Sequence, residues 1–383
     1  MNPSTASNQP PVATRILVRG TNWLGDAVMT TPALLRLREQ FPGAHIALLT
    51  PEKLRDLWLH HPAVNETIPF SPGENVFAIG KKLRAGKFGL ALVLPNSPRS
   101  AIEVFLAGIP QRTGYARPWR NFFLTQAVPP RAGAVKMRKR SEAEVRRLIS
   151  QQPEAVIQKR EIPKSAHQIF EYLHLAAALG ANPRPLPPQL SVTPEEIEVA
   201  RKKFGLDKIT SPVFGLNPGA EYGEAKRWPA LRFVAAAEGV GQLTNCVWII
   251  FGGGKDAEPG NAIEASVRSI TNRKTTVINL AGKTTLRELM ALLKSCRVLL
   301  TNDTGPMHVA AALGTPVVVP FGSTSPELTG PGLPGDARNR LLKSDAPCAP
   351  CFLRECPVDF RCMNGISVPR VVEAVLSCGS NPP

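Results

Sequence analysis

The chain has 383 residues, of which 43% are hydrophobic and 20% are charged, and its formal net charge is +16. This composition excludes an intrinsically disordered protein, and no apolar run reaches the 18 residues that would indicate a membrane-spanning helix. The length predicts two domains, and the charge favours an acidic partner such as nucleic acid, anionic lipid or a phosphorylated substrate. Residues 1–14 lack a hydrophobic signal region, so we expect a flexible tail on a cytoplasmic enzyme.

The first half of the chain alternates short apolar runs with helical patterns. Strands are predicted at residues 15–19, 46–50 and 90–94, and helices near 100–107 and 165–179. A further helix follows the first strand, and Pro32 requires it to begin nearby or to kink, because proline breaks the helical hydrogen-bond ladder. These elements predict an N-terminal α/β domain over residues 15–180.

A proline-rich segment separates this domain from a second one. Residues 181–194 are predicted to form a stiff, extended linker, because such proline density excludes both helix and central strand. Strands are then predicted at 213–216, 247–251, 277–280, 298–300 and 317–320, with helices at 229–239, 261–270, 285–295 and from about 306. This alternation predicts a second parallel α/β domain at 195–345, followed by a cysteine-rich segment and a final helix at 346–383. The cleft between the domains is the expected active site.

Three turns in the second half follow predicted strands and carry polar residues or glycines. Asp303 and Thr304 precede a helix whose N-terminus offers free N–H groups to a phosphate, and His308 follows one turn later. Asp303 suits ligand hydroxyls better than phosphate, although it and Thr304 could simply cap the helix. A second loop delivers Lys226 and Arg227, which suit a diphosphate. The third loop, GGGKDAE, lets the backbone approach a ligand closely.

Four segments, in this order, resemble the bacterial ADP-heptose:lipopolysaccharide heptosyltransferases, glycosyltransferase family 9, and most closely the heptosyltransferase II branch. The segments are GTNWLGDAVMTTPAL, NPGAEYGEAKRWP, FGGGKDAE and TNDTGPMHVAAALGTPVVVPFG. The resemblance implies a GT-B fold, with two Rossmann-like domains in tandem facing a central cleft. It also implies inverting transfer of L-glycero-D-manno-heptose from ADP-heptose to the lipopolysaccharide inner core, without an essential metal.

The resemblance also assigns roles to individual residues. Asp26 matches the general base, Lys226 the diphosphate-binding residue and Asp303 the residue that holds heptose hydroxyls. The remaining expected donor contacts are Asp256 near the ribose and Thr304, Gly305 and His308 at the helix start. On the acceptor side we expect Asn22, Trp23, Arg138, Lys139 and Arg140. Asp26 also has a simpler interpretation as a helix cap, and the helix dipole predicts a lowered pKa for its carboxyl, which would weaken it as a base.

Residues 117–140 contain seven basic residues and no acidic one, with aromatic residues among them. This pattern suits an anionic membrane surface or an acidic glycolipid, and we expect peripheral association with the cytoplasmic face of the inner membrane. Alternatively, the aromatic residues form an ordinary core strand beside a solvated basic loop.

Four cysteines fall within 15 residues near the C-terminus. Their spacing, C-x2-C-x4-C-x5-C, permits a structural zinc site formed by Cys348, Cys351, Cys356 and Cys362. Reduced structural cysteines and a disulfide are the alternatives, although a reducing cytoplasm makes the disulfide less favourable.

Two other functions fit parts of the sequence. A GT-B-like epimerase, or a transferase acting on another nucleotide sugar, would use the same glycine-rich turns. A nucleic-acid-binding protein would explain the charge, but the chain contains no recognisable nucleic-acid-binding motif.

Overall fold

The computed structural model of the protein describes residues 15–150, 162–270 and 275–379. The predicted flexible tail, 1–14, lies outside these ranges. Within them, the strands form two entirely parallel sheets of six strands each. None of the helices in the described ranges combines the length and apolar character needed to cross a membrane.

The first sheet has the strand order β3-β2-β1-β4-β5-β6. Its strands are β1 Arg15–Arg19, β2 His45–Pro51, β3 Glu66–Phe70, β4 Leu90–Val93, β5 Gln111–Tyr115 and β6 Gln126–Val128. The second sheet has the order β12-β11-β10-β7-β8-β9. Its strands are β7 Val213–Asn217, β8 Val247–Ile250, β9 Thr276–Asn279, β10 Leu299–Thr301, β11 Val317–Phe321 and β12 Arg340–Lys343. In each sheet the order reverses at the central strands, and ligands bind beside the carboxyl ends of strands at such switch points.

The helices alternate with these strands. In the first part of the chain they are α1 Leu24–Met29, α2 Thr31–Gln40, α3 Val76–Arg84, α4 Pro98–Leu106, α5 Glu142–Ser150 and α6 Ile169–Ala177. In the second part they are α7 Pro194–Lys203, α8 Ala230–Thr244, α9 Ala257–Ser269, α10 Leu286–Ser295, α11 Gly305–Ala312, α12 Pro326–Thr329, α13 Arg361–Asn364 and α14 Val368–Gly379.

The chain divides into two compact units. The first unit comprises the described residues within Met1–Asn22, Thr30–Ala132 and Glu171–Arg184, and the second those within Trp23–Met29, Gly133–Phe170 and Pro185–Pro383. The change at residue 184 falls inside the predicted linker. Two segments predicted to lie in the N-terminal domain, 23–29 and the described residues of 133–170, instead make their contacts in the second unit. The domain boundaries proposed from the sequence therefore stay a prediction.

Each unit has its own apolar core. In the first, side chains of β1, β2 and β4 pack with α3 and α4 around Leu17, Ala91 and Ile79. In the second, the core surrounds β7 and β8 and contains the two fully buried tryptophans Trp228 and Trp248. The C-terminal residues from Ala346 to Cys378 contribute to this second core. They are therefore an integral part of the unit that carries the candidate site.

Proline explains two helix boundaries, one of which the sequence analysis placed wrongly. Pro32 lies at the start of α2, and the chain breaks between α1 and α2 at Thr30, as the rule against interior proline predicts. The helix predicted at 261–270 instead begins at Ala257, so that Pro259 lies in its first turn. Proline is tolerated there because the N–H groups of a first helical turn have no intrahelical partner.

Candidate active site

The turn after β10 brings together two residues that lie 77 positions apart in the sequence. Lys226 Nζ lies 2.7 Å from Asp303 Oδ2, and the hydroxyl of Thr324 donates a hydrogen bond to the same oxygen at 2.5 Å. Thr304 is the N-cap residue of α11, but its side chain makes no capping hydrogen bond. Asp303 Oδ2 therefore forms an ion pair with Lys226 and accepts a hydrogen bond from Thr324. These interactions give Asp303 a role beyond that of a simple helix cap.

Asn302 connects the loop that carries Lys226 to the turn that carries Asp303. Its Oδ1 accepts a hydrogen bond from the backbone N–H of Trp228 at 2.9 Å, and its Nδ2 donates to the carbonyl of Pro218 at 2.6 Å. Asn302 is completely buried, so both bonds are protected from water. The sequence analysis missed Asn302 and Thr324, although polar residues directly after buried strands could have indicated them.

Asp26 lies in the first turn of α1, which belongs to the second unit. Gln168 Nε2 donates to Asp26 Oδ1 at 3.3 Å, and Lys226 is close enough for its charge to act on the carboxylate. Burial raises the pKa of Asp26 to about 6, and the opposing effects of Lys226 and Gln168 are smaller. The prediction of a lowered pKa was therefore wrong, because loss of hydration outweighs the favourable charges around the carboxylate.

His308 lies where α1 and α11 approach each other most closely. A Cβ atom on Gly25 would lie 2.7 Å from His308 Cδ2, and one on Gly305 would lie 2.8 Å from Leu24 Cδ2. Glycine is therefore required at both positions for this approach. Burial lowers the pKa of His308 to about 4, so its imidazole is neutral at pH 7. It can donate or accept a hydrogen bond but supplies no positive charge.

A cavity of about 310 Å³ lies beside the loop that follows β7, and Gly219, Arg227, Asp256 and Ile263 are among the residues that line it. Asp256 Oδ2 accepts a hydrogen bond from the backbone N–H of Gly253 at 2.9 Å. A Cβ atom on Gly219 would lie only 2.5 Å from Asp256 Oδ1. The third glycine-bearing loop thus places a carboxylate at the wall of a cavity next to the Lys226 loop.

Comparison with known proteins identifies the family. Residues 134–360, more than half of the chain, match the model of glycosyltransferase family 9 (heptosyltransferase). The chain belongs to glycosyltransferase family 9. It is 34% identical to lipopolysaccharide heptosyltransferase 2 of Escherichia coli (strain K12) over 326 residues, which cover 83% of this chain and 85% of the relative. It is 31% identical to lipooligosaccharide heptosyltransferase 2 of Haemophilus influenzae (strain ATCC 51907 / DSM 11121 / KW20 / Rd) over 327 residues, covering 82% and 85% of the two chains.

A solved structure supports the same assignment. The E. coli ADP-heptose LPS heptosyltransferase II superimposes with a TM-score of 0.74 at 30% identity, covering 95% of this chain and 98% of that one. The predicted family, the GT-B fold class of two Rossmann-like domains and the glycosyltransferase class of enzyme are therefore confirmed. The roles assigned to individual residues of this family 9 member stay predictions.

Three of the residues expected on the acceptor side, Asn22, Arg138 and Arg140, have partners within the protein. The side-chain oxygen of Asn22 accepts a hydrogen bond from Arg19 Nη1 at 2.9 Å, and Trp23 is 56% exposed. Arg138 and Arg140 both lie near Glu144, at 2.5 and 3.8 Å. The predicted cluster of positive charge is therefore partly neutralised, although Arg138 and Lys139 are both exposed. A role for these residues in acceptor binding stays a prediction.

The large apolar side chains within segment 117–140 separate into exposed and buried ones. Trp119 is 90% and Phe122 81% exposed, whereas Leu124 is buried. Phe122 packs against Phe123 and Phe105, with ring centroids 5.4 and 6.2 Å apart. The interpretation as an ordinary core strand is therefore wrong for the two most exposed residues. One of the seven basic residues, Arg120, is fully buried and donates through Nη1 to the carbonyl of Pro95, so it cannot belong to a basic surface.

The clustered cysteines lie in and beside the core of the second unit. Cys348, Cys351 and Cys362 are buried, Cys356 is partly exposed, and all four are free thiols. Burial, followed by the charges of the neighbouring cysteines, raises the pKa of Cys362 to about 12. Across the described ranges, no group of three or more His, Cys, Asp or Glu side chains is arranged to hold a metal ion. The geometry therefore lends the structural zinc site no support. That site stays a prediction, which metal analysis of protein purified without chelators would test.

Proposed function

We propose that this family 9 enzyme transfers L-glycero-D-manno-heptose from ADP-heptose to the inner core of lipopolysaccharide, with heptosyl-Kdo2-lipid A as acceptor. The named activities of its relatives support the substrates. The observation that carries the mechanism is the arrangement of Asp26 beside the Lys226–Asp303 ion pair. It puts a proton acceptor, a cation and a fixed hydrogen-bond acceptor in one place.

Asp26 is the proposed general base. The acceptor hydroxyl loses its proton to the Asp26 carboxylate as its oxygen bonds to the anomeric carbon. The bond from that carbon to the phosphate oxygen breaks at the same time, and ADP departs with the electron pair. A pKa near 6 suits this role, because such a carboxyl is ionised at neutral pH and is still a stronger base than an ordinary aspartate. An in-line displacement of this kind inverts the anomeric configuration.

Lys226 is the proposed cation that stabilises the negative charge of the departing diphosphate. Its ammonium supplies the charge, and the N–H groups at the start of α11, from Gly305 onward, supply directed hydrogen bonds. Asp303 then holds heptose hydroxyls while it fixes the position of Lys226. The cavity bordered by Asp256 is the proposed nucleoside subsite, where a carboxylate can accept hydrogen bonds from the ribose hydroxyls. Independence from metal rests on the family resemblance, and retained activity in excess chelator would support it.

The deciding experiment offers the purified protein ADP-heptose with two acceptors, mono-heptosylated and heptose-free Kdo2-lipid A. We expect ADP release and a mass increase of one heptose on the mono-heptosylated acceptor only. Incubation of ADP-heptose without acceptor is the control, because an epimerase converts the donor alone. Turnover of the donor without acceptor, or transfer from a different nucleotide sugar at a higher kcat/KM, would refute the proposal.

We also propose that the protein associates peripherally with the anionic cytoplasmic face of the inner membrane through the aromatic surface, defined as Phe105, Trp119 and Phe122. Arg112 lies against the Phe105 ring at 5.4 Å from its centroid, and no acidic residue occurs in the sequence between 104 and 141. Exposed aromatic rings beside cations suit the interface of an anionic bilayer, where the rings insert and the cations pair with headgroups.

The membrane proposal is tested with sedimented vesicles of phosphatidylcholine, with and without phosphatidylglycerol, at low salt. We expect Trp119→Ser with Phe122→Ser to weaken binding to the anionic vesicles by roughly tenfold or more, since two large apolar side chains lose their insertion energy. Phe77→Ser is the matched control, because Phe77 is 68% exposed but lies outside the aromatic surface. Neutralising Arg138, Lys139 and Arg140 together should have a smaller effect, because Glu144 already pairs with two of them. Unchanged binding of the aromatic double variant would exclude this surface.

A further inference from the structure

The loop that carries Lys226 is held by a short stretch of the cysteine-rich segment, residues 352–354, which we call the strap. The hydroxyl of Tyr222 donates a hydrogen bond to the carbonyl of Phe352 at 2.9 Å. The backbone N–H of Ala225 donates to the carbonyl of Arg354, also at 2.9 Å. The loop is therefore bonded to the strap on both sides of Gly223.

Gly223 shows how tightly the loop and the strap fit. Its φ of 155° is rarely adopted by residues with a side chain, and a Cβ atom there would lie 2.4 Å from the carbonyl oxygen of Arg354. No flexible side chain is available to move away, because the clash is with backbone. This explains why the loop sequence has glycine at this position.

The strap also reaches the other partner of the ion pair. The backbone N–H of Phe352 donates to the carbonyl of Ser323 at 2.7 Å, and the next residue, Thr324, donates its hydroxyl to Asp303. One short segment thus bonds to the loop of Lys226 and to the loop that holds Asp303. The strap is itself held in place, because the adjacent Cys351 and its own Leu353 are buried in the core of the second unit.

Tyr222 links this backbone arrangement to the lysine side chain. Lys226 Nζ lies 4.9 Å from the centroid of the Tyr222 ring, and the Arg354 guanidinium lies 5.1 Å from it. A cation at such a distance over an aromatic face is attracted by the ring quadrupole. The hydroxyl of the same ring is bonded to the strap, so the ring cannot rotate away without breaking that bond.

We propose that Tyr222 is a positioning residue for Lys226, with the strap as its support. The ring and Asp303 together direct the ammonium toward the donor diphosphate, and the cysteine-rich segment serves donor binding by holding Tyr222. This inference rests on the proposed function of Lys226 as the diphosphate-binding cation. It assigns to the cysteine-rich segment a role that requires no bound metal.

The test is a double-mutant cycle on ADP affinity, measured by calorimetry with the full chain. We expect Tyr222→Leu to weaken ADP binding by roughly 3- to 20-fold, as expected for a lost cation–π contact, and Tyr222→Phe to lose less because it keeps the ring. In a Lys226→Met background, Tyr222→Leu should change the ADP affinity by less than about twofold, since the cation through which it acts is gone. Glu221→Gln, an exposed residue of the same loop, is the control.

The possible results separate the two proposals. If the wild-type protein binds neither ADP nor ADP-heptose, the proposed function fails, and this inference fails with it. If the wild type binds ADP but Tyr222→Leu has no effect, or weakens binding equally with and without Lys226, the proposed function stands and the positioning role is refuted. A Tyr222→Phe variant as weak as Tyr222→Leu would also refute it, because the ring would then contribute nothing. Thermal melting of each variant confirms that the fold is kept.

Discussion

Asp303 lies in the turn between β10 and α11, and Asp26 lies in the first turn of α1, shortly after β1. The sequence offered the same two interpretations for both, a helix cap or a functional residue. Their surroundings differ. Asp303 shares one oxygen between the Lys226 ammonium and the Thr324 hydroxyl, whereas Asp26 is held by an amide, Gln168, and is mainly desolvated. The same residue type near a helix start is thus the partner of a cation in one case and a group ready to take a proton in the other. The partners, and not the turn, determine the chemistry.

The largest expected effect comes from removing the base. Asp26→Asn keeps the shape and hydrogen-bonding capacity of the side chain but cannot accept the proton, so we expect transfer to fall by about 10² to 10⁴. ADP-heptose affinity should stay close to that of the wild type. Initial rates with saturating donor and acceptor measure the effect, and Asp207→Asn, at an exposed position, is the control. A variant that keeps more than about a tenth of the wild-type rate would show that Asp26 is not the base.

The second prediction separates the two partners of the ion pair. Lys226→Ala should weaken both ADP and ADP-heptose by roughly 10- to 100-fold, the range for loss of a charge-assisted hydrogen bond. Asp303→Ala should weaken ADP-heptose by a similar factor, because the sugar hydroxyls lose their acceptor. Its ADP affinity should change much less, because Lys226 keeps its charge and the Tyr222 ring still orients it. Calorimetric titration of each variant with ADP and with ADP-heptose measures these affinities. Equal losses of affinity for the two ligands in the Asp303 variant would mean that the role of Asp303 is structural.

The third prediction is a pH dependence that belongs to Asp26. Because the base must be ionised, kcat/KM should rise about tenfold per pH unit below pH 6 and level off above it. The native pKa lies above the unfolded value of 3.8. The native state therefore binds the proton more tightly, and this contribution to stability is complete below pH 3.8 and is lost as the pH rises through about 6. Asp26→Asn should thus raise the melting temperature relative to wild type at pH 7 but hardly at pH 3.8. A melting difference independent of pH would contradict the raised pKa.

The smallest expected effect concerns Gln168. Its amide donates to Asp26 and so favours the ionised carboxylate. Gln168→Leu should shift the midpoint of the pH–rate profile to higher pH by a few tenths of a pH unit. The rate at pH 8 should stay within about threefold of wild type, since only one neutral hydrogen bond is lost. A uniform loss of rate at every pH, with no shift of the midpoint, would show that Gln168 acts on something other than the Asp26 proton.

Much of the fold could be predicted because its strands are apolar and fully buried. β1, β7 and β11 were found within one or two residues, since parallel strands covered on both faces read as continuous hydrophobic runs. The interior strand β5, QRTGY, was missed because it has few apolar residues. The edge strands β3, β6 and β12 were missed as well. Their patterns are weak, because an edge strand is short and tolerates polar residues and proline, as ETIPF in β3 shows.

The sequence by itself determined the two alternating α/β series, the family, and the set of turns in which Asp26, Lys226 and Asp303 lie. These features depend on local sequence patterns, such as an apolar run followed by a glycine and by the first residues of a helix. The tertiary structure decided which of these residues meet, and with what charge. The raised pKa of Asp26, the pairing of Lys226 with Asp303, and the strap under Tyr222 all arise from groups more than 70 residues apart in the chain. Burial and long-range contacts of this kind depend on packing, and no local pattern encodes them.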